Sequence, residues 1–381
     1  MKKLFGKNAV LASSICTLLL LVLTSLPPAS AWKGDDGIDG PKFGPWSAPV
    51  NLGPPVNTVL ADYQPFISKD GLSLYFSVLE GPTQNSPQDI WVAKRSSESD
   101  NWGTPQRLGP EINTPATEGQ AFVTVDGHWM YFNSNRKTPD ANGVLPFGGN
   151  DIYVARRQNK REDFGPGGWQ EAVNIGAGVN TSFGETSPFV FEDEMTGVTT
   201  LYFHSSRPGM GGVDIYASTL QPDGTFGPAQ LVFEVSSKYN DQNPSISRDG
   251  LEMYFTSDRP GSTPNPDSGI SGPPGQPSTD IWVSTRASTS DPWGTPANLD
   301  AVNQALGGPA INSHFTMGSR PSRLTARSCT STPRSGKAVS RSSSTSGRPR
   351  APSSSIRTEQ RVRNSRTFRL LHLSAESASC P

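Results

Sequence analysis

A four-residue signature, Asp-Ile followed by Trp or Tyr and then Val or Ala, recurs at Asp89, Asp151, Asp214 and Asp280, at intervals of 62, 63 and 66 residues. A fixed period of this length marks a repeat array, in which each unit buries its apolar face against its neighbours. Each signature closes a set of three short runs with strand patterning. Run A is Pro65-Phe-Ile-Ser, Ala121-Phe-Val-Thr, Pro188-Phe-Val-Phe and Pro244-Ser-Ile-Ser. Run B is Leu74-Tyr-Phe-Ser, Met130-Tyr-Phe-Asn, Leu201-Tyr-Phe-His and Met253-Tyr-Phe-Thr. Between A and B stand the hairpin-type turns Asp70-Gly71, Asp126-Gly127 and Asp249-Gly250, where Gly supplies positive φ. The third copy has a longer loop there, residues 192–197.

A fourth run, D, pairs an aromatic with an aliphatic six residues on. It appears five times: Trp46 and Leu52, Trp102 and Leu108, Trp169 and Ile175, Phe226 and Val232, Trp293 and Leu299. The chain has 381 residues with 38 Gly, 35 Pro and 33% hydrophobic residues. That favours many short strands over helices. Four strands per repeat with aromatics at fixed positions predict an all-β propeller of four-stranded blades, the rings packing between blades. Five D runs meet four A-B-C sets, so the expectation is four intact blades plus an N-terminal closing strand.

The combination of Pro-x-aliphatic-Ser-x-Asp-Gly, Leu-Tyr-Phe and Asp-Ile-Trp or Asp-Ile-Tyr resembles the TolB-type, WD-repeat-like β-propeller family over residues 44–299. The resemblance implies the fold and an exported bacterial protein of the envelope or periplasm. It implies no particular activity, because propellers host many functions.

Lys2, Lys3 and Lys7, the apolar run Ala9 to Leu26 and Ala29-Ser30-Ala31 form the pattern of a secretory signal, expected to end at residue 31. A transmembrane anchor is the alternative. Residues 32–43 read as a linker and 44–306 as the blades. The expected location is secreted or periplasmic, with no membrane span once the signal is removed. The three cysteines lie outside 32–306, so disulfides are not available to stabilise the body. Residues 32–306 carry 17 Lys and Arg against 32 Asp and Glu, whereas 307–381 carry 13 against 2. That basic, Ser- and Arg-rich tail reads as disordered.

The tail also holds a second message. If each codon is taken as the last base of one triplet and the first two of the next, residues 319–333 permit Pro-Ser-Ile-Ser-Ala-Asp-Gly, two unspecified residues and then Leu-Tyr-Phe-Asp-Ser. Cys329 with Thr330 can encode only Tyr or His in that frame. Residues 344–351 permit Asp-Ile-Trp-Ala-Ser-Thr-Arg, matching Asp280 to Arg286 with one change. A frameshift near residue 313 is therefore expected, and with it an incomplete ring.

An acid stands three residues before each A run: Asp62, Glu118, Glu185 and Asp241. Asn57, Asn113 and Asn180 each precede the acid by five. In a propeller these acids would ring the channel mouth, and such a ring could hold Ca²⁺ or a cationic segment. Alternatively, each acid accepts hydrogen bonds within its own turn, since acids repeated in every blade usually serve the repeat and active sites break its symmetry. The four histidines are scattered, and no nucleophile elbow, phosphate loop or zinc-protease motif occurs in the body. The expected function is thus a non-catalytic propeller, with no required cofactor, binding a protein, peptide or glycan of the cell envelope or exterior through the loop face of its channel; no nucleic-acid partner is expected. The alternative is a glycan-active hydrolase using channel carboxylates, whose separation is a structural quantity that sequence does not display.

Overall fold

A computed structural model describes residues 45–58, 62–81, 86–262 and 279–312. The expected signal, the linker to residue 43 and the tail beyond 312 lie outside them. Four antiparallel four-stranded sheets follow one another along the chain. Blade 1 is β1 (Asp62–Ile67), β2 (Ser73–Leu79), β3 (Gln88–Lys94) and β4 (Gln106–Arg107). Blade 2 is β5 (Glu118–Val123), β6 (Trp129–Ser134), β7 (Asp151–Arg156) and β8 (Val173–Asn174). Blade 3 is β9 (Glu185–Glu192), β10 (Thr199–Ser205), β11 (Asp214–Thr219) and β12 (Gln230–Leu231). Blade 4 is β13 (Asp241–Ile246), β14 (Glu252–Ser257), β15 (Asp280–Thr285) and β16 (Ala297–Asn298). The all-β propeller architecture is as the repeat predicts.

The innermost strands β1, β5, β9 and β13 are neighbours in that order, and no comparable contact joins β13 back to β1. Their aromatics pack in sequence: Phe66 on Phe122 at 4.8 Å between ring centroids, and Phe122 on Phe189 at 4.7 Å. Apolar residues of adjacent blades share clusters, as when Tyr75 and Ile90 of blade 1 meet Met130, Phe132 and Tyr153 of blade 2. Burial of apolar side chains between neighbouring blades thus contributes to holding the array together.

Two strand boundaries differ from the sequence reading. The inner strands begin at the acid itself, not three residues later, because each carries a bulge at the second residue after it. Gln64, Gln120, Ser187 and Asn243 occupy these bulges with φ of 49°, 55°, 53° and 55°, a left-handed conformation that costs a non-glycine residue roughly 1–2 kcal/mol. The D strands shrink to two residues. Pro105, Pro228 and Pro296 stand at or just before the pairing residues and remove a ladder donor there.

The first D run forms no strand. Residues 45–57 instead bridge the two ends of the arc. Trp46 packs edge-on against Tyr254 of blade 4 at 5.5 Å, its backbone N–H donates to the Asn303 side-chain oxygen and its carbonyl accepts from the Asn303 amide, while Leu52 and Val56 enter the core of blade 1. Asn303 belongs to a short helix, α1 (Leu299–Ala305), that the sequence reading does not anticipate. Its first turn is capped by Asn298, whose side chain accepts the Asp300 N–H.

Candidate active site

The four acids at the heads of the inner strands are drawn into their own blades. Glu118 accepts the N–H of Thr114 at 2.9 Å and its hydroxyl at 2.8 Å; Glu185 accepts the same pair from Thr181 at 2.8 and 2.7 Å. Ser237 donates its hydroxyl to Asp241 at 2.7 Å, and Thr58 its N–H to Asp62 at 2.8 Å. All four carboxylates are buried. Each thus accepts a hydrogen bond from a residue of its own turn.

In blades 2 to 4 the end of the second strand completes this arrangement with a Ser-x-Arg pair. Ser134 and Ser205 donate to Glu118 and Glu185 at 2.6 and 2.8 Å. Arg136, Arg207 and Arg259 form ion pairs with Glu118, Glu185 and Asp241. Each guanidinium also donates to a neighbouring carbonyl, of Ile112, Val179 and Val235 respectively. A buried carboxylate flanked by a hydroxyl and a guanidinium is charge-compensated, which is what lets it stay inside.

Asn113 and Asn180 have a different task. Each side chain accepts the N–H of the isoleucine in the third strand of the preceding blade and donates back to its carbonyl. Asn113 clamps Ile90 at 2.9 and 2.9 Å, and Asn180 clamps Ile152 at 2.8 and 2.9 Å. Asn312, beyond the expected boundary at 306, does the same for Ile281. Asn57 accepts only the N–H of Gly53 among the described residues.

Blade 1 departs from this pattern. Where the others have Ser-x-Arg it has Val78-Leu79-Glu80. Asp62 lies opposite Val78, and Val78 opposite Asp89, so an apolar side chain separates two acids across the sheet. Asp62 has no serine or arginine partner among the described residues, and burial raises its carboxyl above the ordinary range, against the opposing effect of the Thr58 bonds. Glu80 is half exposed, and its carboxyl is also raised, first by a hydrogen bond with Asp89, then by burial and by the charge of Asp89. Asp89 is held from the other side by Arg107, whose Nε also stands 3.3 Å from Glu80. Asp89 Oδ1 is buried and takes no donor among the described residues.

This carboxyl group of three was missed by sequence reasoning aimed at what repeats. Its signal was present: at the Ser-x-Arg position the first copy alone inverts the charge.

His204, at the same strand position as Ser77 and Asn133, accepts the Asn243 N–H on Nδ1 at 3.2 Å and donates from Nε2 to Thr186. Burial depresses it to about 3, so the ring is neutral at physiological pH. Unfolding lets it charge, so stability is fully present above the ordinary value of 6.5 and is lost as pH falls from there toward 3. Replacing His204 with Asn should reduce the fall in melting temperature between pH 7 and pH 4, as thermal melts across that range would show. No group of three or more His, Cys, Asp or Glu placed to hold a metal ion occurs among the described residues. No helix among them is long and apolar enough to cross a membrane.

No protein-family profile matches the chain, and no curated protein does. Among solved structures it resembles the catalytic domain of a Coprinopsis cinerea GH62 α-L-arabinofuranosidase, with TM-score 0.43 and 13% identity over 68% of this chain and 75% of that one. An α-L-arabinofuranosidase from Podospora anserina in complex with cellotriose gives 0.40 and 11% over 68% and 75%. A GH43_1 enzyme from Xanthomonas citri complexed with xylotriose gives 0.40 and 17% over 67% and 77%. These likenesses concern the fold alone, and none of the three is described as a TolB-type or WD-repeat protein. They correct the expectation of a non-catalytic binder. A working carboxyl pair has no fixed spacing in sequence, so the lack of a sequence motif does not exclude one.

Proposed function

We propose that the chain is an exported, TolB-like repeat protein that acts as a glycan-active hydrolase, with its acid–base chemistry at the Asp62, Glu80 and Asp89 end of blade 1. One observation carries this reading: blade 1 gives up the Ser-x-Arg pair that neutralises the acid in every other blade, and so holds two carboxyls raised above their ordinary range beside an arginine-held third. Two carboxyl groups of tuned basicity are what glycosidic cleavage requires.

Glu80 is the solvent-reachable group. The neighbouring Asp89 carboxyl and then burial raise the Glu80 carboxyl, and the proposed role of Glu80 is to deliver its proton to the departing glycosidic oxygen. Arg107 fixes Asp89 and so positions Glu80. Asp62, in its deprotonated form, takes the proton of an attacking water. Asp62 faces Val78, and Val78 and Glu80 share one side of the strand, so the two Cα atoms stand about 8–9 Å apart across one strand spacing and two residues. Inversion at the anomeric carbon, which needs a water between the two carboxyls, is the outcome proposed for this spacing.

The reading is tested by incubating the full chain with a panel of aryl glycosides and plant and bacterial polysaccharides, and following products by ¹H NMR. Turnover with inverted configuration, lost in Asp62→Asn, supports it. Absence of turnover on every substrate, or undiminished turnover by the variant, overturns it. Asp62→Asn carries a second expected result. Asp62 binds its proton more tightly folded than unfolded, so its contribution to stability is present below the ordinary value of 3.8 and is lost as pH rises through the raised one. The variant should therefore melt higher than the parent at pH 7, and the difference should disappear below pH 4.

A further inference from the structure

We propose that the slot between blade 4 and blade 1 is the seat of a fifth blade, whose first three strands are encoded one reading frame away in the codons of residues 319–351 and whose fourth is the segment 45–53. The clamp asparagines point to this. Asn113, Asn180 and Asn312 each grip the isoleucine N–H of the third strand in the blade before them. Ser236 approaches the Ile215 carbonyl at 3.5 Å at the equivalent place in blade 3. Four blades thus use four clamps, and Asn57 is a fifth. Its turn is already formed: the Asn57 N–H bonds the Gly53 carbonyl at 2.9 Å, as Asn113 bonds Gly109 and Asn180 bonds Gly176 at 2.9 Å each. The blade that Asn57 would grip belongs between β13 and β1, where the inner strands do not meet.

A second set of contacts agrees. Arg95, Arg157 and Arg286, just past the third strands, each lie over the tryptophan of the following D run, at 4.4, 4.3 and 4.1 Å from Trp102, Trp169 and Trp293. Each also donates to the carbonyl of the Asp-Gly turn, Gly71, Gly127 or Gly250. In blade 3, where residues 192–197 replace that turn, the arginine and tryptophan are Leu220 and Phe226. Turn, arginine and tryptophan are therefore present or absent together. The shifted frame permits the Asp-Gly turn at codons 324–326 and the arginine at 350–351, and Trp46 stands at the head of the matching D run.

The test is to sequence the gene across codons 313–351 and to compare the chain as it stands with one restored to the shifted frame near codon 313. The expected codons spell Pro-Ser-Ile-Ser-Ala-Asp-Gly, Leu-Tyr-Phe-Asp-Ser and Asp-Ile-Trp-Ala-Ser-Thr-Arg, and the restored chain melts higher. Asn57→Ala then lowers the melting temperature of the restored chain about as much as Asn113→Ala does, and that of the present chain by much less. Codons that spell other residues, a restored chain that melts no higher, or an Asn57→Ala effect equal in the two chains would overturn the proposal.

Discussion

Asp163→Ala is expected to remove about 3–5 kcal/mol of folding stability, because it strands a buried cation. The Asp163 side chain is fully enclosed, and one carboxylate oxygen receives the Tyr75 hydroxyl at 2.7 Å, Arg157 at 2.5 Å and the Trp169 indole N–H at 2.9 Å. Lys94 approaches the other oxygen at 2.5 Å. Tyr75 and Lys94 belong to blade 1 and Arg157 and Trp169 to blade 2, so one carboxylate joins two blades through four donors. Burial, and after it the negative charge of Asp163, raises the Tyr75 hydroxyl, which therefore stays protonated and donating. Without Asp163 the Arg157 guanidinium, 2% exposed, keeps only carbonyl, hydroxyl and ring partners. A domain of this size loses roughly 2–4 °C per kcal/mol, so a melting temperature about 10 °C lower is the expected reading. A loss of less than 1 kcal/mol in urea titrations would mean that the ion pair contributes no more than an exposed one.

Glu80→Gln is expected to lower kcat by about 10²–10⁴-fold, the range attached to a general acid, with a smaller change in stability. Glu80 is half exposed, so its loss strands no buried charge. Its hydrogen bond with Asp89 raises the pH at which it gives up its proton, and burial raises the corresponding point for Asp62. Rate should fall as pH drops below the Asp62 value, since the base must be free, and fall again as pH rises above that of Glu80, since the acid must be charged with a proton. Both limbs are displaced upward from the ordinary carboxyl range. Glu80→Gln should remove the upper limb, and a pH–rate profile of parent and variant on an activated aryl glycoside measures both effects. A variant that keeps the parent's upper limb would assign that limb to another group.

Much of the fold is legible in the sequence, because its period is written in residues that packing and turn chemistry both demand. Leu-Tyr-Phe runs and Asp-Ile-Trp or Asp-Ile-Tyr starts locate the second and third strands of every blade, and the first is located but begins three residues earlier than its run. The fourth is misjudged, since tryptophans 102, 169 and 293 stack on arginines ahead of the strands they announce, and only two residues of each run then pair. The bulges at Gln64, Gln120, Ser187 and Asn243 leave no mark either, because their left-handed φ is imposed by the inner-strand geometry and not by glycine. Helix α1 is hidden because it is short and held by a single cap and by Asn303.

The candidate site was legible only in part. The repeated acids Asp62, Glu118, Glu185 and Asp241 are visible as a repeat, and repetition does not distinguish the three that pair with an arginine from Asp62, which does not. What matters for chemistry is the copy in which compensation fails. Val78 and Glu80 stand where Ser134 and Arg136, Ser205 and Arg207, and Ser257 and Arg259 stand elsewhere. The consequence depends on the register that sets Asp62, Val78 and Asp89 side by side, which only the folded sheet supplies.

The central claim is that blade 1 holds carboxyls without the Ser-x-Arg compensation of the other blades and tuned for proton transfer. A ¹³C-detected side-chain titration of the full chain, with Asp62→Asn and Glu80→Gln used to assign the resonances, tests it most directly. The account predicts that Asp62 and Glu80 both titrate above their ordinary values of 3.8 and 4.5, and that Glu80 shifts downward when Asp89 is replaced with Asn. Titration of either group at or below its ordinary value, with Glu80 indifferent to Asp89, would contradict it.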